Sequence, residues 1–162
     1  MTDVEKLLKQ LHRHAVKYVL IGGMAAVAQG SSYLTADVDL CYARDDDNLE
    51  RLAKALAPFH PTLRGAPPDL PFRLDAPTLR SGLNFTLSTD IGDVDLIGEV
   101  AGLGSYERVI EFSEVLDIYG IPCHVMTLEG LILSKKAAGR PRDLRLIPEL
   151  EALLEIRKSQ KG

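Results

Sequence analysis

Val4, Leu7, Leu8 and Leu11 recur at three- and four-residue spacing, which predicts an amphipathic helix over residues 3–15 with Asp3 near its start. The apolar run Tyr18–Ile21 ends at Gly22-Gly23 and reads as a short buried strand. Alanine-rich Met24–Ala28 predicts a closely packed helix stopped at Gly30. Val38, Leu40 and Tyr42 then alternate with Asp37, Asp39 and Cys41, the two-residue period of a strand with two different faces. Asp45-Asp46-Asp47 opens a helix whose Leu49, Leu52, Ala53 and Leu56 share one side, with acids where the helix dipole favours them.

Periodicity fails across residues 57–82, which hold six prolines together with Arg64, Arg73 and Arg80. This stretch is expected to be a long loop with at most one helical turn. Leu83–Thr89 and Asp93–Ile97 flank Asp90-Ile-Gly92 as a β-hairpin. Residues 105–111 read as helix, and Val115–Tyr119 and Cys123–Val125 as strands around Gly120-Ile-Pro122. Two helices follow, Leu128–Ala138 and Arg142–Lys158, separated by Gly139-Arg-Pro141. With no repeat and no linker, the order predicts one α/β (α+β) domain over residues 1–162. A small mixed sheet would be covered by helices, with a helical segment at 127–162.

Composition narrows the class. The longest uncharged run, Tyr18–Ala36, is broken by glycines and hydroxyl residues, so it is no bilayer span, and residues 1–14 carry mixed charge without an apolar stretch. A cytoplasmic protein without membrane partners is expected. Cys41 and Cys123 stand far apart with no metal-binding neighbours, which argues against a disulfide framework or a zinc site. Cys41 falls on the Asp37/Asp39 face but reads as a small buried hydrophobe. The net charge of −4 hides an asymmetry: residues 135–162 sum to +4 and the rest of the chain to −8.

The candidate chemistry lies between Gly22 and Leu40. On a strand, Asp37 and Asp39 point to one side, and two close carboxylates repel unless a cation or a proton intervenes. An oxygen-only donor set favours Mg²⁺ or Mn²⁺. Gly22-Gly23, between a buried strand and a helix start, would let backbone N–H groups approach a phosphate. Ser31, Ser32 and Thr35 would add hydroxyl donors. No GxSxG, HExxH or P-loop pattern competes.

Gly22-Gly23, a thirteen-residue spacer and Asp37-Val38-Asp39-Leu40 resemble the signature of the nucleotidyltransferase superfamily that includes DNA polymerase beta. The whole chain is similar to its minimal members and to abortive-infection-type nucleotidyltransferase toxins. The resemblance implies the nucleotidyltransferase fold and a third carboxylate on a neighbouring strand. Asp95 matches that third position, with Asp93 as the fallback on the same face. It further implies that Asp37, Asp39 and Asp95 are catalytic and hold Mg²⁺ or Mn²⁺. An NTP would be bound by Gly22, Gly23, Ser31, Thr35, Lys135 and Arg140. Lys135-Lys-Ala-Ala-Gly-Arg140-Pro-Arg142-Asp143 is similar to a run in the toxin-like members, where Lys135 would approach phosphate and Asp143 would hold a basic partner.

The implied reaction moves a nucleoside monophosphate from an NTP to a hydroxyl of tRNA or other RNA, a protein or a small molecule. A toxin–antitoxin or phage-defence system, with a cognate toxin or antitoxin as partner, is the implied setting. One departure stands out: Tyr33 occupies the place where many relatives carry an arginine, leaving Arg64, Arg73 or Arg80 to replace it. The alternative reading is a non-catalytic nucleotide- or partner-binding module, antitoxin-like, on the same fold. Modification of an aminoglycoside-type small molecule is a third.

Overall fold

A computed structural model describes residues 1–33 and 35–161. Helix α1 (Val4–Arg13) starts where Asp3 accepts a hydrogen bond from the Lys6 N–H, and its Leu7, Leu8 and Leu11 are fully buried. Strand β1 (Tyr18–Ile21) runs straight into α2 (Gly22–Ala28), which begins two residues before the predicted start. Strand β2 (Val38–Tyr42) follows, then α3 (Asp46–Leu56), capped by Asp45 through the Asn48 N–H.

Residues 57–82 are only in part the predicted loop, since 64–75 are irregular but short elements lie on either side. They contain a two-residue strand, β3 (Thr62–Leu63), and helix α4 (Ala76–Ser81), whose first turn holds Pro77 and is capped by Asp75. A strand this short has no detectable period, and the prolines mask the capping signal. The hairpin β4 (Phe85–Thr89) and β5 (Gly92–Ile97) forms as expected. Next come α5 (Tyr106–Val109), β6 (Ser113–Ile118), β7 (Ile121–Met126), α6 (Leu128–Ala138) and α7 (Pro141–Lys161). Pro141 belongs to α7, so only Gly139, at φ +66°, and Arg140 separate the last two helices.

Seven strands make one mixed sheet in the order β3-β4-β5-β2-β1-β7-β6. Strand β2 lies antiparallel to β1 and parallel to β5, while β1 is also parallel to β7. Helices α1, α3 and α4 pack in succession, and α2, α6 and α7 form a second packed series. The central strands are sandwiched in the apolar core, where Val19, Leu20, Val38 and Leu40 are fully buried.

Two buried polar side chains tie the strands together at opposite ends, Asn48 at the end away from Asp39 and Thr2 at the end that carries it. Asn48 accepts from the Lys17 N–H at 2.7 Å and donates to the carbonyls of Lys17 at 3.0 Å and Ala43 at 2.7 Å, tying the start of β1 to the end of β2. Thr2 donates its backbone N–H to the Ala36 carbonyl at 3.1 Å and its hydroxyl to the Asp93 carbonyl at 2.7 Å, bridging the entries to β2 and β5. Among the described residues, no helix is long and apolar enough to cross a membrane.

Candidate active site

The parallel pairing of β2 with β5 places Asp39 directly beside Asp95, on strands about 4.8 Å apart. Asp37 immediately precedes β2 and faces the same cleft. Burial, followed by the negative charges of Asp95 and Asp37, pushes the Asp39 carboxyl from its ordinary 3.8 up to about 7, while Lys135 pulls it the other way. Three acids have been folded to one place at an electrostatic cost.

Opposite them, α6 and α7 supply cations. Asp143 is 3% exposed and accepts from Arg140 Nε at 2.6 Å and Lys135 Nζ at 3.3 Å. Burial works against its charge, yet the hydrogen bond from Arg140 and the Lys135 ammonium hold its carboxyl below the ordinary range. Lys135 is thereby fixed beside Asp39. Arg142 and Arg145 also line the cleft, which has a volume of about 440 Å³. The sequence assigns neither arginine a role, although Arg142 stands in the Lys135–Asp143 run and both contribute to the +4 charge of the C-terminal segment.

The glycines also have a packing role that their spacing does not show. A Cβ on Gly22, at φ +66°, would run into the Asp39 carboxylate, and one on Gly23 would lie 2.9 Å from the Thr35 side chain and 3.0 Å from the Tyr33 ring. Their missing side chains let β2 and the preceding segment close onto α2. Both still line the cleft, as do Thr35, whose hydroxyl donates to the Asp37 carbonyl at 3.2 Å, and Tyr33. Ser31 does not line it: Ser31 and Ser32 both donate to Glu149 of α7. Their hydroxyls dock the segment onto the last helix.

Of the three arginines expected to replace the one that Tyr33 displaces, only Arg64 reaches the acids of the cleft. It meets Asp95 Oδ1 at 2.6 Å and Asp93 Oδ2 at 3.3 Å, whereas Arg73 pairs with Asp75 and Arg80 with Asp46. Asp93 lies outside the cleft that holds Asp95. Cys41, expected to share the aspartate face, is fully buried, and burial raises its thiol to about 12, so it is inert packing.

Among the described residues, no group of three His, Cys, Asp or Glu side chains is arranged to hold a metal ion as it stands. The chemistry of the donors nevertheless fits a hard divalent cation. All are carboxylate oxygens, and such a cation would offset both the burial that chiefly raises Asp39 and the repulsion from Asp95 and Asp37 that adds to it.

A mixed sheet with paired aspartates on two parallel neighbours, a glycine turn beside them and a C-terminal helical pair is the nucleotidyltransferase fold. Comparison with solved structures agrees. A candidate nucleotidyltransferase of Thermotoga maritima is 16% identical, with a TM-score of 0.55 over 98% of this chain and 90% of that one. An antigenic nucleotidyltransferase-like protein of Paracoccidioides brasiliensis is 15% identical, with a TM-score of 0.54 over 94% and 78%. The antibiotic-resistance factor ANT(2'')-Ia is 14% identical, with a TM-score of 0.54 over 98% and 90%. No protein-family model and no curated protein sequence matches the chain.

Proposed function

We propose that the cleft is the active site of a divalent-metal-dependent nucleotidyltransferase that moves a nucleoside monophosphate from an NTP to an acceptor hydroxyl. The observation that carries this reading is the confrontation, across one cleft, of Asp37, Asp39 and Asp95 with Lys135, Arg142 and Arg145. The three aspartates would hold Mg²⁺ or Mn²⁺, which when bound neutralises phosphate charge and makes a hydroxyl more acidic.

The remaining work falls to the chain itself. The first N–H groups of α2, at Gly22 and Gly23, have no partner within their helix and offer donors to phosphate oxygens. Lys135, held by Asp143, offsets the charge that builds on the leaving group, with Arg142 and Arg145 toward solvent. The acceptor oxygen bonds to the α-phosphorus, the bond to the bridging oxygen breaks, and pyrophosphate leaves. The acceptor proton passes to the Asp39–Asp95 pair.

The acceptor classes are RNA, protein and small molecules; the fold shared with an antibiotic-resistance factor supports the last. A toxin–antitoxin or phage-defence setting rests on the sequence resemblance. The non-catalytic reading has one observation in its favour, since the Tyr33 ring packs against Gly23 in the cleft where relatives often carry arginine. Incubation with α-labelled NTPs, Mg²⁺ and fractionated cell extract separates the two. Label in an RNA, protein or small-molecule fraction is the expected result, while nucleotide binding without any transfer supports the module.

A further inference from the structure

Asp93 and Asp95 sit two residues apart on β5 and share a face, so the strand alone does not decide which of them serves the cleft. The choice is made from the sheet edge. Arg64 follows β3, and its backbone N–H donates to the Thr86 carbonyl at 2.9 Å. Thr86 lies opposite Asp95, which lies opposite Asp39. Arg64, Thr86, Asp95 and Asp39 therefore form one row across four strands.

Within that row the guanidinium is doubly anchored. One terminal nitrogen donates to the Leu87 carbonyl at 2.9 Å and to Asp95 Oδ1 at 2.6 Å. Nε, buried and without a hydrogen-bond partner among the described residues, lies 3.3 Å from Asp93 Oδ2. The Asp95 side chain is 18% exposed and that of Asp93 40%. A cation fixed to a backbone carbonyl thus holds one oxygen of Asp95, leaving its carboxyl against Asp39, and keeps Asp93 at the rim.

We infer that Arg64 is a positioning residue that selects Asp95 over Asp93 and orients it as the third carboxylate of the metal site. The inference rests on the nucleotidyltransferase reading. Partners behind a metal's ligands typically alter affinity by about 10–100-fold. Lysine cannot replace this one, because a single ammonium lacks the planar fork that spans a carbonyl and two carboxylates.

Mn²⁺ titration of the full chain, followed by electron paramagnetic resonance without nucleotide, tests it on wild type, Arg64→Gln, Arg64→Lys and Asp39→Asn. Both Arg64 variants should bind Mn²⁺ about tenfold more weakly or worse. Their bound-Mn²⁺ spectra should also change, a signature that a purely structural role would leave alone. If Asp39→Asn weakens binding while both folded Arg64 variants bind as wild type or more tightly, the assignment of Arg64 is overturned and the site stands. Wild-type binding by Arg64→Lys alone also overturns it, and covers the case in which the glutamine variant does not fold. If Asp39→Asn leaves Mn²⁺ binding unchanged, the metal-site reading falls and takes the inference with it.

Discussion

Asp39 gains its neighbours because Gly22 has no Cβ, a dependence no spacing rule contains. Gly22→Ala adds left-handed backbone strain of about 1–2 kcal/mol and drives a methyl group into the Asp39 carboxylate. Gly120, at φ +77° with nothing within 4 Å, supplies the control, since Gly120→Ala meets the strain alone. Thermal melts should show the larger loss for Gly22→Ala, and only that variant should lose Mn²⁺ affinity; equal melts and unchanged affinity would contradict the contact. The strand period alone puts Asp37 and Asp39 on one side, whereas on β5 it cannot separate Asp95 from Asp93, and only the resemblance to the nucleotidyltransferase superfamily points to Asp95. Arg64 was one of three arginines in a proline-rich stretch, and only the β3–β4 register distinguishes it from Arg73 and Arg80. Ser31 turns from the cleft for a reason equally remote in the chain: its partner, Glu149, lies 118 residues away.

Helices and strands with a sustained apolar period, such as α1, α3 and the β4–β5 hairpin, could be read directly from the chain. Those made by context could not: β3 pairs through only two residues, and α2 opens on glycines with poor helix propensity. Asn48 shows how the elements are joined. It occupies a helix position but is fully buried, satisfying Lys17 and Ala43 where β1 and β2 meet α3. Asn48→Ala takes the partner from the Lys17 N–H and from the Ala43 carbonyl, while the Lys17 carbonyl keeps the Ala43 N–H, at a cost of about 2–4 kcal/mol. At roughly 2–4 °C per kcal/mol for a chain of this size, calorimetry should record a fall in Tm of about 4–16 °C. A fall below about 1 °C would mean that water replaces the amide without loss.

At the scale of the molecule, the modest net charge of −4 resolves into an acidic sheet facing a basic helical pair across the cleft. This arrangement makes stability depend on pH in an unusual direction. Folding raises the Asp39 carboxyl from 3.8 to about 7, through burial first and then Asp95 and Asp37, against the pull of Lys135. Its stabilising contribution is therefore complete below its unfolded value and is lost as pH rises through about 7. Asp143, held low by Arg140 and Lys135 despite its burial, contributes in the opposite sense and loses its share only in acid. In chelator, Tm should fall from pH 6 to pH 8, and Asp39→Asn should flatten that slope; a slope unchanged in the variant would remove Asp39 as its source.

The most direct measurement follows the two ends of one NTP, labelled differently at the α- and γ-phosphates, with Mg²⁺ and an acceptor-bearing extract fraction. Wild type should place the α-label on the acceptor and release the γ-label as pyrophosphate in equal amount, and folded Asp39→Asn should do neither. Release of the γ-label as inorganic phosphate without α-transfer, or transfer undiminished in Asp39→Asn, would contradict nucleotidyl transfer at this cleft.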